Sequence, residues 1–178
     1  LPNLIGFIRL ALIPVFLVLA FGSEDGRYAP ATLIAVVIAV TDYLDGLVAR
    51  LTGQYSRLGA LLDPLVDRML IVSVSLVAWH FELLPRAALA VLLARELLML
   101  LLSPIALSRG AEIKVNWAGR LSVWPIMAGL CLSLMFDSWV NAALVWVGTL
   151  GAVWATVLYI RDLWPVIRKV PVQDLNPK

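Results

Sequence analysis

The chain has 178 residues, is 62% hydrophobic and carries a formal net charge of +2. A soluble domain is about 45–50% apolar, so this composition excludes an ordinary water-soluble fold, and so small a charge with no Lys/Arg-rich run excludes nucleic acid as a partner. Cys131 stands alone, which excludes an internal disulfide.

A membrane-spanning helix needs about 20 mostly apolar residues. Six stretches qualify in chain order: Leu4–Phe21, Ala29–Ala49, Leu58–Trp79, Arg86–Leu107, Trp117–Phe136 and Val140–Tyr159. The first is long enough to span and has no small-residue cleavage site after it, so it reads as a span rather than a cleaved leader. Turn chemistry separates the runs: "GSEDGRYAP", "GQYS", "FELLP", "SRGAEIKVN" and "DSW". The expected fold is therefore all-α and integral to the membrane, with six transmembrane helices in a single domain covering 1–178.

Nine basic residues fall on one side of this layout: Arg50, Arg57, Arg109, Lys114, Arg120, Arg161, Arg168, Lys169 and Lys178. Arg27 and Arg86 are the two on the other side. The positive-inside rule then puts both termini and the second and fourth loops in the cytoplasm. The expected location is a multi-pass cell-membrane protein whose chemistry faces the cytoplasm.

That chemistry sits in "TDYLDGLVARLTGQYSRLGALLDPLVDRML". Asp42 and Asp45 are spaced i, i+3, and Asp63 and Asp67 are spaced i, i+4, so each pair occupies one helical face. A carboxylate in a bilayer costs about 2.5–3.5 kcal/mol on insertion scales, so something must offset four of them. Oxygen-only donors select hard ions, and two Mg²⁺ or Mn²⁺ ions would balance the charge and serve a reaction at phosphate. Gly46, Ala49 and Gly59 leave room for a ligand or a close helix, and Arg50 can grip a phosphate through a bidentate fork. Arg9 and Arg68, inside spans, either pair with nearby acids or touch substrate. Membrane acids also line ion pathways, so an ion or proton-coupled transporter is the competing class.

The stretch from Asp42 to Asp67 fits D-x2-D-G-x2-A-R-x8-G-x3-D-x3-D at every fixed position. It resembles the signature of the CDP-alcohol phosphotransferases, and the six-span layout and the start "PNLIGFIR" extend the resemblance over most of the chain. The resemblance implies an enzyme that transfers a substituted phosphate from a CDP-linked donor to an alcohol and releases CMP. It implies Asp42, Asp45, Asp63 and Asp67 as metal ligands, with Asp67 also the general base. Gly46, Ala49, Arg50 and Gly59 would then hold the donor nucleotide, and a homodimer is the assembly the resemblance suggests.

With no soluble domain, the chain most resembles members that use CDP-diacylglycerol. Arg95 and Glu96 match the A-R-E of phosphatidylglycerophosphate synthases, and Arg95, Arg109, Lys114, Arg120 and Arg161 form the candidate acceptor-binding set. Two cations of that subgroup are replaced here, by Ser103 and Ser122. The sequence favours glycerol 3-phosphate as acceptor by a narrow margin. The alternative is a cardiolipin synthase, with phosphatidylglycerol as acceptor, which "VDR" at Val66–Arg68 resembles.

Overall fold

A computed structural model describes the backbone of residues 2–52, 59–108 and 117–168, and the side chains of residues 6–41, 66–102, 119 and 121–162. Those residues form six helices: α1 (Pro2–Phe21), α2 (Ala29–Thr52), α3 (Gly59–His80), α4 (Arg86–Ser108), α5 (Trp117–Ser133) and α6 (Trp139–Arg168). There is no strand among the described residues. The order matches the six apolar runs. The boundaries agree to within three residues except at the end of α6, which continues past Tyr159 to Arg168 because hydropathy marks only its apolar part. Helix α5 stops at Ser133, where the amides of Met135 and Phe136 both turn back to the Leu132 carbonyl, at 2.9 and 3.0 Å.

Helix α1 packs on α2 and α3, and α5 packs most extensively on α6. The core runs between them through Phe16, Ile38, Leu70, Val74, Leu92, Ile126, Leu130 and Val145, all nearly inaccessible. Outside it, every helix leaves large apolar side chains exposed, among them Val18, Leu33, Leu76, Leu101, Leu121 and Val147. Among the described residues, one helix, Trp139–Asp162, is long and apolar enough to cross a membrane by itself. Gly6–Phe21, Ala29–Thr41 and Leu121–Ser133 are shorter apolar segments.

Glycine lets α5 and α6 approach closely. A Cβ on Gly148 would lie 2.8 Å from the Ile126 amide nitrogen and 2.9 Å from the Ser122 carbonyl oxygen. One on Gly129 would lie 2.8 Å from the Asn141 carbonyl oxygen. At such distances backbone meets backbone, and any larger residue would have to push the helices apart.

The connections opposite the acid motif are built from turn chemistry. Ser23 Oγ donates to the Ala20 carbonyl at 2.6 Å and accepts from the Gly26 amide at 2.9 Å. Gly26 has φ +75°, and the Phe81 ring occupies the place of a Cβ. Phe81 in turn stacks edge-on to His80, whose ring also meets Phe21 at 5.3 Å. Just past the end of α3, Glu82 has φ 54°, and the Leu83 amide reaches the Ala78 carbonyl at 2.9 Å. That six-to-one closure requires a left-handed residue, usually glycine. Ser138 caps α6 by accepting from the Val140 amide at 3.3 Å.

Candidate active site

Helices α2 and α3 pack together and are separated in sequence by six residues, 53–58, so the end of one and the start of the other lie at the same end of the hairpin. Asp42, Asp45, Gly46, Ala49 and Arg50 all fall in the last turns of α2, and Gly59, Asp63 and Asp67 in the first turns of α3. The helical register keeps each acid pair one turn apart on its own helix, as the spacing predicts. The side chains of Asp42, Asp45, Arg50, Asp63 and Arg120 lie outside the described set, as do Gly46, Ala49 and Gly59 beyond their place in the helices. Arg109 and Lys114 lie outside the described residues altogether.

Asp67 is half-buried on α3, one turn from the Asp63 position. The next residue, Arg68, has its Nη1 buried with no hydrogen-bond partner among the described residues. On α1, Arg9 is 2% exposed, and its Nη2 donates to the Thr41 carbonyl at 2.6 Å. Thr41 immediately precedes Asp42, so a buried cation touches the backbone where the acid motif begins. Its hydroxyl also turns back on the helix, donating to the carbonyls of Val37 and Ile38. The sequence marked Arg9 as a cation inside a span, but the Thr41 carbonyl is an acceptor that no sequence pattern indicates.

The candidate acceptor residues divide. Arg95 on α4 is 16% exposed and ion-paired through Nη1 with the buried carboxylate of Glu96. Its Nε donates to Thr156 Oγ1 on α6 at 3.2 Å, and that hydroxyl donates to the Ala152 carbonyl at 2.9 Å. Arg95 is therefore held in place from two sides. Arg161 is instead a surface residue, 73% exposed and 3.4 Å from an equally exposed Asp162. The sequence reading paired Glu96 with Arg95 by motif, but it did not single out Thr156. A threonine in an apolar helix was the available signal. Ser122, at a position where a cation stands in phosphatidylglycerophosphate synthases, is 6% exposed. It is turned toward α6, with its Oγ 2.5 Å from where a Gly151 Cβ would sit.

Residues 1–154 match the family model described as CDP-alcohol phosphatidyltransferase. The chain belongs to that family. Among its relatives, a protein of Mycobacterium tuberculosis named as a putative cardiolipin synthase is 35% identical over 181 residues, covering 96% of this chain and 85% of that protein. The cardiolipin synthase (CMP-forming) of Streptomyces coelicolor is 36% identical over 164 residues, covering 89% of this chain and 76% of that one. The CDP-diacylglycerol–glycerol-3-phosphate 3-phosphatidyltransferase of Pseudomonas fluorescens is 29% identical over 178 residues, covering 94% and 91%. As a CDP-alcohol phosphatidyltransferase, this protein is a transferase of phospholipid biosynthesis, and its acid motif lies within the matched region.

Proposed function

We propose that this CDP-alcohol phosphatidyltransferase moves the phosphatidyl group of CDP-diacylglycerol to the hydroxyl of a glycerol-type alcohol and releases CMP. The observation that carries the reading is the full set of fixed motif residues on the packed ends of α2 and α3. The reading has one domain, 1–178, crossing the cell membrane six times. Both termini and the motif face the cytoplasm, supported by the nine-to-two split of basic residues and by the apolar exterior of all six helices. A homodimer belongs to the same reading, since lipid or a second copy would cover those faces.

The donor set fits a pair of Mg²⁺ or Mn²⁺ ions: four carboxylates and no soft ligand, in two pairs on adjacent helices. Asp42, Asp45, Asp63 and Asp67 would hold them. When bound, the ions supply charge neutralisation at the diphosphate oxygens and at the departing CMP. Asp67 accepts the proton of the acceptor hydroxyl. The oxygen then bonds to the β-phosphorus of the donor as the bond from that phosphorus to CMP breaks. Arg50 holds the diphosphate, and Gly46, Ala49 and Gly59 leave the nucleoside room against the helices.

Between the acceptors, the balance tips to phosphatidylglycerol. The subgroup that uses glycerol 3-phosphate has cations where this chain has Ser103 and Ser122, and Ser122 is buried against α6. The relatives named cardiolipin synthase also have the higher identities. Glycerol 3-phosphate, favoured on the sequence alone, retains the support of the Arg95–Glu96 pair and of the Pseudomonas relative.

The test is CMP release by the purified protein in detergent with Mg²⁺ and CDP-diacylglycerol, with each acceptor offered separately. Release with phosphatidylglycerol is expected. Release with glycerol 3-phosphate alone would assign that acceptor instead. Silence with both, with no binding of donor, would overturn the enzyme reading in favour of a transporter.

A further inference from the structure

We infer that Arg9 is a positioning residue for the acid motif: by bonding the Thr41 carbonyl it fixes the height and rotation of α2 at Asp42 and Asp45. This rests on the reading of the four aspartates as metal ligands. Three observations carry it. Arg9 is 2% exposed, and a buried guanidinium is costly unless its geometry earns a partner. Its Nη2 reaches the Thr41 oxygen at 2.6 Å, a short charge-assisted bond across two helices whose residues lie 32 apart in sequence. Thr41 is the residue before Asp42, and helical i to i−4 bonding makes its carbonyl the partner of the residue-45 amide as well. One carbonyl thus links Arg9 to the backbone at both acids of α2.

A second bridge of the same kind provides the control. Arg27 Nε donates to the Ser133 carbonyl at 3.3 Å, joining the α1–α2 connection to the end of α5. It also ties helices together through one backbone oxygen, but at the opposite end from the motif. A purely structural role for Arg9 would make the two bridges equivalent in every readout except stability.

The experiment is Mn²⁺ titration of detergent-purified protein by electron paramagnetic resonance, with CMP release and thermal unfolding measured on the same samples. Partners that orient metal ligands typically contribute 10–100-fold to metal affinity, so Arg9→Gln should raise the Mn²⁺ midpoint by about tenfold or more. Arg9→Lys, which retains the charge on a flexible ammonium but loses the planar fork, should fall between it and the wild type. Arg27→Gln should lower the unfolding temperature and leave the Mn²⁺ midpoint unchanged. An unaltered midpoint in Arg9→Lys and Arg9→Gln would overturn the inference, and so would a tighter one, which would make Arg9 only a competing positive charge. If Arg9→Gln does not fold, Arg9→Lys alone decides: a midpoint equal to the wild type overturns the inference. Wild-type protein that binds no Mn²⁺ would overturn the ligand reading itself, and with it this inference.

Discussion

The two ends of the helix bundle use their acids differently. Opposite the motif, Glu24, Asp25, Glu82 and Asp137 all lie in connections and are exposed. Two of them do local work: Asp25 Oδ1 accepts from the Arg27 amide at 3.0 Å, and Glu82 pairs with Arg86 at 2.5 Å. At the motif end, Asp42, Asp45, Asp63 and Asp67 are placed on helices. A loop acid can move to satisfy its neighbours. An acid on a packed helix is held at a fixed position, which a site that must assemble several charges requires. The same side-chain type therefore caps turns at one end and builds a candidate reaction centre at the other.

Substitutions at each end test this contrast. The largest effect is expected for Asp67→Asn, which keeps the shape and removes the proton acceptor. CMP release should fall by about a thousandfold or more, the scale of general-base catalysis, while the unfolding temperature in detergent stays near the wild-type value. Normal turnover would detach Asp67 from the chemistry. Glu96→Leu comes next, because it strands Arg95 between α4 and α6. Breaking a buried pair costs about 3 kcal/mol, reduced here by the partial exposure of Arg95, and should appear as a clear drop in unfolding temperature. An unchanged transition would show that the pair adds nothing to the packing of α4 on α6.

Gly148→Ala should be smaller, at about 2 kcal/mol of overpacking against Ile126 and Ser122. Its signature is lost stability with an unchanged apparent affinity for CDP-diacylglycerol, since the contact lies on α5 and α6 rather than on α2 and α3. A raised donor KM would mean that the two halves are coupled. Arg86→Ala should do least. With the partners 57% and 70% exposed, solvent screening leaves this ion pair worth less than about 0.5 kcal/mol. A shift of several degrees on thermal unfolding would contradict the picture of a far end made of independent turns.

The six helices were legible because each apolar run is long and bounded by glycine, proline or charge. Their ends were less so: hydropathy reports where a helix is apolar, and α6 stays helical beyond that point. The acid motif was legible because its information is spacing along the chain. The bonds of Arg9 to Thr41 and of Arg95 to Thr156 were not, since their partners lie 32 and 61 residues apart and one acceptor is a backbone oxygen. Glu82 in the left-handed conformation was hidden for another reason. Its sequence "FELLP" signals a turn without naming the residue that makes it.

The bond between Arg95 and Thr156 also orders events in time. Arg95 is made with α4, but its hydroxyl partner arrives two helices later, with α6. Translation proceeds at about 5–20 residues per second, so the α4 arginine spends several seconds with Glu96 as its neighbour and no Thr156 to meet. The corner where α4 meets α6 can close only after α6 is in place. That closure therefore comes after every residue of the acid motif has already been made.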